Sequence, residues 1–179
     1  MAFLKSLFGR SAPQNDLHPL YAAIVAEGRL PHWYRDGRVP DTLDGRFDMI
    51  AAVLSLVLLR MEKLDMADDT ARLAEIFVDD MDGQLRQMGV GDIVVGKHIG
   101  RMMSALGGRL GAYRTALADG AGTGASGVAE ALQRNLYRGV TPAPDALAHT
   151  ASAFQHLAAQ LDTRDLDALR AGHIGGDSL

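Results

Sequence analysis

The sequence predicts an all-α fold, a single-domain bundle of about six to seven helices. Three observations lead there. Apolar residues recur three and four positions apart over long stretches. No stretch alternates as a half-buried strand would. Glycine and alanine are abundant, while aromatic residues make up only 6%. The length of 179 residues suits one domain. The chain has no cysteine, which excludes disulfides and thiolate metal sites. Its net charge is -4 and acidic and basic residues are interspersed, so no basic face stands ready for nucleic acid.

Residues 1–16 place Phe3, Leu4, Leu7 and Phe8 on one side of a helix turn, with Lys5 and Arg10 off it. The segment lacks the apolar run and small-residue cleavage site of a signal peptide. It is expected to be flexible or to lie in a membrane interface. A helical domain is expected over 17–171 and a disordered tail over 172–179.

The first helix spans 17–30, with Leu20, Ile24 and Tyr21 inward. Residues 31–45 break it, because Pro31, Gly37, Pro40 and Gly45 oppose a continuous helix. Asp41, Thr42 and Asp44 are N-cap types for the second helix, 46–64. Its run "MIAAVLSLVLL" is too short to span a bilayer, which takes about 20 residues. Being apolar nearly all round, it belongs at the centre of the core.

Asp68, Asp69 and Thr70 offer a cap for the third helix, 71–88, which carries Leu73, Ile76, Phe77, Met81, Leu85 and Met88. Gly89 fits its C-terminal stop and Asp92 caps the next helix. That fourth helix, 93–117, has a stripe of Val95, Ile99, Met102, Leu106, Leu110, Tyr113 and Leu117. Beside it run Gly96, Gly100, Gly107, Gly108 and Gly111. Each interior glycine costs roughly 0.5–1 kcal/mol against alanine, so the series predicts close approach by a neighbouring backbone. A loop over 118–127 precedes a helix over 128–137. Pro144 then opens a last helix with Leu147, Phe154, Leu157 and Leu161 inward.

Four chemical patterns bear on function. Gly91, Gly96 and Lys97 match the letters of a phosphate-binding loop, but His98 stands where Ser or Thr should hold magnesium, and a helix precedes it instead of a strand. "DDMDG", 79–83, has its glycine in the wrong place for a calcium loop. His149 and His156 lie two turns apart, too few ligands for zinc. No Ser/His/Asp set or carboxylate dyad stands out, so no catalytic, cofactor-binding or metal residue is assigned and no cofactor is expected. Asp80, beside the apolar face of the third helix, must be paired if buried. It or Asp82 is expected to pair with Arg46, Lys97 or Arg109.

Three blocks carry a resemblance: "VPDTLDGRFDM" (39–49), "DDMDGQLRQMGVGDIVVGKHIGRMMSALGGRLGAY" (79–113) and "LQRNLYRG" (132–139). Together, in this order, they resemble the ubiquinol–cytochrome c chaperone family, known from mitochondria and alphaproteobacteria. Gln87 replaces the family's usual glutamate, and Leu106 and Gly107 replace an aromatic pair before Gly108 and Arg109. The resemblance marks Asp41, Thr42, Gly45, Arg46, Asp80, Asp82, Arg86, Gly89, Gly91, Asp92, Lys97, Arg109 and Tyr113 as motif or partner-binding residues. It implies a non-enzymatic assembly factor for respiratory complex III. The partner it implies is cytochrome b or another complex III subunit. The composition and the absence of an Arg-rich transit peptide fit a bacterial protein, cytoplasmic and peripheral on the inner membrane. A client of that kind suits a groove lined by Met and Leu. The alternative is an all-helical magnesium-dependent enzyme acting on a nucleotide or isoprenoid substrate, which Asp79, Asp80 and Asp82 superficially echo.

Overall fold

A helix that is apolar all round can only sit in the middle, and in the computed structural model of the chain it does. The structure describes residues 16–87, 92–118 and 124–175. Among these are six longer helices, α1 (His18–Gly28), α3 (Leu43–Lys63), α4 (Ala67–Gln87), α5 (Asp92–Ala118), α6 (Gly124–Asn135) and α7 (Pro144–Asp162). Two short ones, α2 (Pro31–Arg35) and α8 (Leu166–Arg170), complete the set, and the described residues contain no strand.

α3 packs against α1, α4, α5 and α7. Every residue from Met49 to Leu59 is buried. Each fully buried Leu, Val, Ile or Met side chain contributes about 1.5–3 kcal/mol. The helix begins earlier than expected, at Leu43, because Thr42 caps it: its hydroxyl accepts from the Gly45 N–H at 3.1 Å. Asp44 in the first turn and Arg60 and Lys63 in the last complement the helix dipole. Asp65, at φ 57°, lies within the connection to α4 in the left-handed region that aspartate tolerates.

α1 lies on α3 because Gly28 permits it. A Cβ there would stand 3.1 Å from the Ile50 Cα. The break expected over 31–45 is present but holds α2, since Pro31 sits at a first turn where its missing N–H costs nothing. α2 buries Trp33, whose indole N–H donates to the Glu27 carbonyl at 2.9 Å.

α4 starts at Ala67, so Asp68 and Asp69 lie within its first turn and do not cap it. There they face the positive end of the helix dipole, and Asp69 is buried against Arg170 of α8 at 2.6 Å. Leu73, Phe77 and Met81 are buried, as the periodicity predicts. In α5, Leu106 and Tyr113 are buried and Met102, Leu110 and Leu117 pack on the core. α6 starts within the expected loop, at Gly124, and ends at Asn135, with Leu136 and Tyr137 still buried beyond it. α7 has Pro144 in its first turn and Phe154, Leu157 and Leu161 inside, as expected. The tail expected from Gly172 is packed further than that. Ile174 is 4% exposed, because an isoleucine in reach of the α1–α8 seam is worth more buried than in water.

The glycines of α5 correct a second expectation. A Cβ at Gly100, Gly107, Gly108 or Gly111 would meet nothing within 4 Å. Among the described residues no neighbouring helix lies over them; the close approaches occur at Gly28, Gly37, Gly45 and Gly172 instead. The methionines likewise fill the core: Met49, Met61, Met66 and Met81 are buried, and of the described methionines only Met103 is substantially exposed. Among the described residues the methionines therefore line no open groove. No helix among the described residues is long and apolar enough to cross a membrane.

Candidate functional site

A carboxylate inside an apolar helix must find a cation, and Asp48 finds two. Its side chain is 1% exposed. It accepts hydrogen bonds from Arg109 Nη2 of α5 and from Arg138 Nε, the latter at 2.6 Å. Arg138 Nη1 also donates to Asp44 at 2.8 Å. Arg138 follows α6 at φ 53° and Gly139 follows at φ 79°. This paired left-handed turn closes off α6 directly at the ion cluster. The start of α3, the middle of α5 and the end of α6 are thereby joined through one carboxylate.

Apolar rings wall the cluster. The Arg109 guanidinium lies 5.7 Å from the Phe47 ring centre, and Phe47 lies 5.6 Å from Phe77. One turn beyond Arg109, Tyr113 stacks on Phe154 at 4.9 Å. Burial pushes the Tyr113 hydroxyl well above its ordinary pKa, more than the Arg109 charge lowers it, so it stays protonated. The Tyr113 hydroxyl and Arg109 Nη1 are both buried without a hydrogen-bond partner. With its one buried carboxylate held by two guanidinium groups, the cluster has no free base; it is suited to holding three elements together.

A second group lies at the outer end of α3. A cleft of ≈ 420 Å³ is lined by Arg29, Pro31, Tyr34, Arg35, Asp41 and Arg46. Arg46 Nε donates to Asp41 at 2.6 Å, and its guanidinium lies 5.9 Å from the Tyr34 ring centre. Its hydrogen bond holds the Asp41 carboxyl below the usual carboxylate range. Arg35 makes a two-pronged pair with Asp36, at 2.9 and 2.7 Å. The Tyr34 hydroxyl donates to the Gly28 carbonyl at 2.5 Å.

The motif residues thus part into separate places. Asp41 and Arg46 pair with each other at the cleft, and Thr42 is the α3 cap. Gly45 is required sterically, since any Cβ there would collide with the Pro40 carbonyl. Arg109 and Tyr113 belong to the buried cluster. Asp80, half-buried on α4, accepts from the Tyr21 hydroxyl at 2.7 Å and from Gln84 at 3.0 Å. Desolvation first, then that hydrogen bond, raises the Tyr21 pKa. Asp82 pairs with Arg86 one turn on, at 2.7 Å. The expected pairing of Asp80 or Asp82 with Arg46 or Arg109 is therefore corrected: those arginines have nearer carboxylates in Asp41 and Asp48. Gly89 and Gly91 lie outside the described residues, as do the side chains of Asp92 and Lys97. Gly96 and Lys97 fall inside α5, where backbone N–H groups bond within the helix and cannot cradle a phosphate. "DDMDG" is mid-helix in α4.

Sequence reasoning missed Asp48 and Arg138. The signal was present: Asp48 is the charged residue at the edge of the most apolar run, and Arg138 sits in the third block. His149 faces His32 of α2 and not His156, Nε2 to Nδ1 at 3.2 Å. No group of three or more metal-ligating side chains occurs among the described residues.

The family model described as Ubiquinol-cytochrome C chaperone matches residues 35–175. The fold is similar to the crystal structure of the Cbp3 homolog from Brucella abortus, with 30% sequence identity and a TM-score of 0.76. The likeness covers 89% of this chain and 87% of that one. No curated protein matches.

Proposed function

Because this chain belongs to the ubiquinol–cytochrome C chaperone family, we propose that it binds newly made cytochrome b and aids its assembly into the ubiquinol–cytochrome c reductase. Membership puts it among chaperones and not among enzymes. The magnesium-enzyme alternative loses its ground: Asp80 and Asp82 are already engaged by Tyr21, Gln84 and Arg86.

One observation supports an apolar, helical client. α5, which carries most of the longest motif block, turns outward Gly100, Met103, Ser104, Gly107 and Gly108, all exposed. Four interior glycines that no described neighbour requires weaken the helix by roughly 0.5–1 kcal/mol each. A small-residue face of this kind lets a second helix come close, as in membrane-protein packing. The client surface in this reading is that face, and residues 1–16 supply peripheral contact with the cytoplasmic face of the inner membrane.

Deleting the gene tests the function. Cytochrome b absorbance and complex III activity fall while other respiratory complexes persist; normal complex III in the deletion strain overturns the reading. Complementation with Gly108→Leu tests the surface. The variant, whose Cβ meets nothing within 4 Å and whose fold circular dichroism checks, fails to restore cytochrome b; full rescue refutes the assignment of the face.

A further inference from the structure

The arginine cleft has no part in holding the bundle together. Arg29 ends α1, Arg35 ends α2 and Arg46 lies one turn into α3, so three guanidinium groups from three elements face one space of ≈ 420 Å³. Asp41 is the one carboxylate in its lining. Arg46 is paired with Asp41 through Nε and Arg35 with Asp36 through Nε and Nη2, which leaves Arg29 as the lining cation without an ion pair to a described residue, on a chain whose net charge is -4. The Arg29 side chain makes no hydrogen bond or ion pair with any described residue, so its guanidinium donors are open.

The rim is apolar. Leu30, between Arg29 and Pro31, is 37% exposed, and Leu43, one turn before Arg46, is 55% exposed. These are two of the four large hydrophobic side chains exposed among the described residues. Guanidinium forks match phosphate oxygens in pairs, and the Tyr34 ring holds Arg46 in place behind them. An acidic peptide would satisfy the arginines but leave the leucines in water. A phospholipid satisfies both, with phosphate in the cleft and acyl boundary against Leu30 and Leu43.

We propose that the cleft formed by Arg29, Arg35 and Arg46 binds the phosphate of an anionic membrane phospholipid, with Leu30 and Leu43 entering the interface. The proposal deepens the reading of the chain as a factor acting at a membrane surface, and rests on it. The bilayer contact is then made by the folded domain itself, which sets the orientation of α5 toward the membrane.

The test is sedimentation of the full chain with vesicles of phosphatidylcholine alone or doped with phosphatidylglycerol. The chain binds the doped vesicles, and added salt weakens the binding. Arg29→Gln and Arg46→Gln each weaken it about fivefold, and together about thirtyfold, at the strength expected per basic residue near an anionic surface. Leu43→Ser weakens it as well. All three positions are exposed, so the variants keep the fold, as circular dichroism checks. Undiminished binding by the double arginine variant overturns the cleft while leaving membrane contact to residues 1–16. No binding to any vesicle overturns both. Calorimetric titration with inorganic phosphate separates the remaining source: saturation by phosphate in solution, with Leu43→Ser without effect on vesicles, replaces the lipid with a free anion.

Discussion

Removing the Asp48 carboxylate should cost far more than its two hydrogen bonds suggest. Arg138 holds one end of the pair, but its side chain is 54% exposed and can turn to water. That arm is worth about 0–1 kcal/mol. Arg109 cannot escape: its side chain is 10% exposed, and Nη1 already lacks a partner. Leaving such a cation uncompensated costs about 3–5 kcal/mol. Asp48→Ala is therefore expected to destabilise the chain by about 3–5 kcal/mol. For a chain of this size that is a fall in Tm of roughly 6–20 °C, at about 2–4 °C per kcal/mol. Urea denaturation, which leaves ionic strength unchanged, gives the free energy. Two controls locate the effect. Arg138→Gln loses less than about 1 kcal/mol. Asp48→Leu/Arg109→Leu recovers most of the loss, because an apolar pair of similar volume has no charge to strand. A cost for Asp48→Ala under about 1 kcal/mol, or a double variant no better than the single, refutes the stranded-charge argument.

Three other outcomes follow from the same structure. Gly45→Ala forces a Cβ into the Pro40 carbonyl and shifts the start of α3, lowering stability by about 1–3 kcal/mol in denaturant titration. Gly108→Ala does the opposite, gaining about 0.5–1 kcal/mol, because its site is open and helical. Acid should weaken the α2–α7 contact: burial first and His149 second lower the His32 pKa from its ordinary 6.5, with Asp36 opposing and Arg35 adding to the shift. Below 6.5 the unfolded chain takes up a proton that the folded chain refuses, so Tm falls as pH drops through that value and His32→Asn flattens the dependence.

Much of this protein is determined locally and can be read along the chain. The all-α class, the central place of Met49–Leu59, the Thr42 cap and the Pro144 start all depend on periodicity and on groups within a turn of each other. The buried faces of α4 and α7 are legible for the same reason. The three motif blocks carried the family as well, since their order and spacing are properties of the sequence. The α4 start moved by a few residues where a dipole decided, and α2 formed inside the expected break where Pro31 permits a first turn.

Partner choice was decided only in three dimensions. Asp80 and Asp48 both sit among apolar neighbours, and nothing local says that Tyr21 reaches the first and Arg109 and Arg138 the second. Those partners lie 59, 61 and 90 positions away. The glycines make the same point: Gly45 and Gly108 look alike in sequence, yet one lies against a carbonyl and the other against nothing. A residue's spacing fixes the face it occupies on its own helix. What covers that face depends on how the helices cross, and so the tertiary structure alone separated the glycines that hold the fold from those left open.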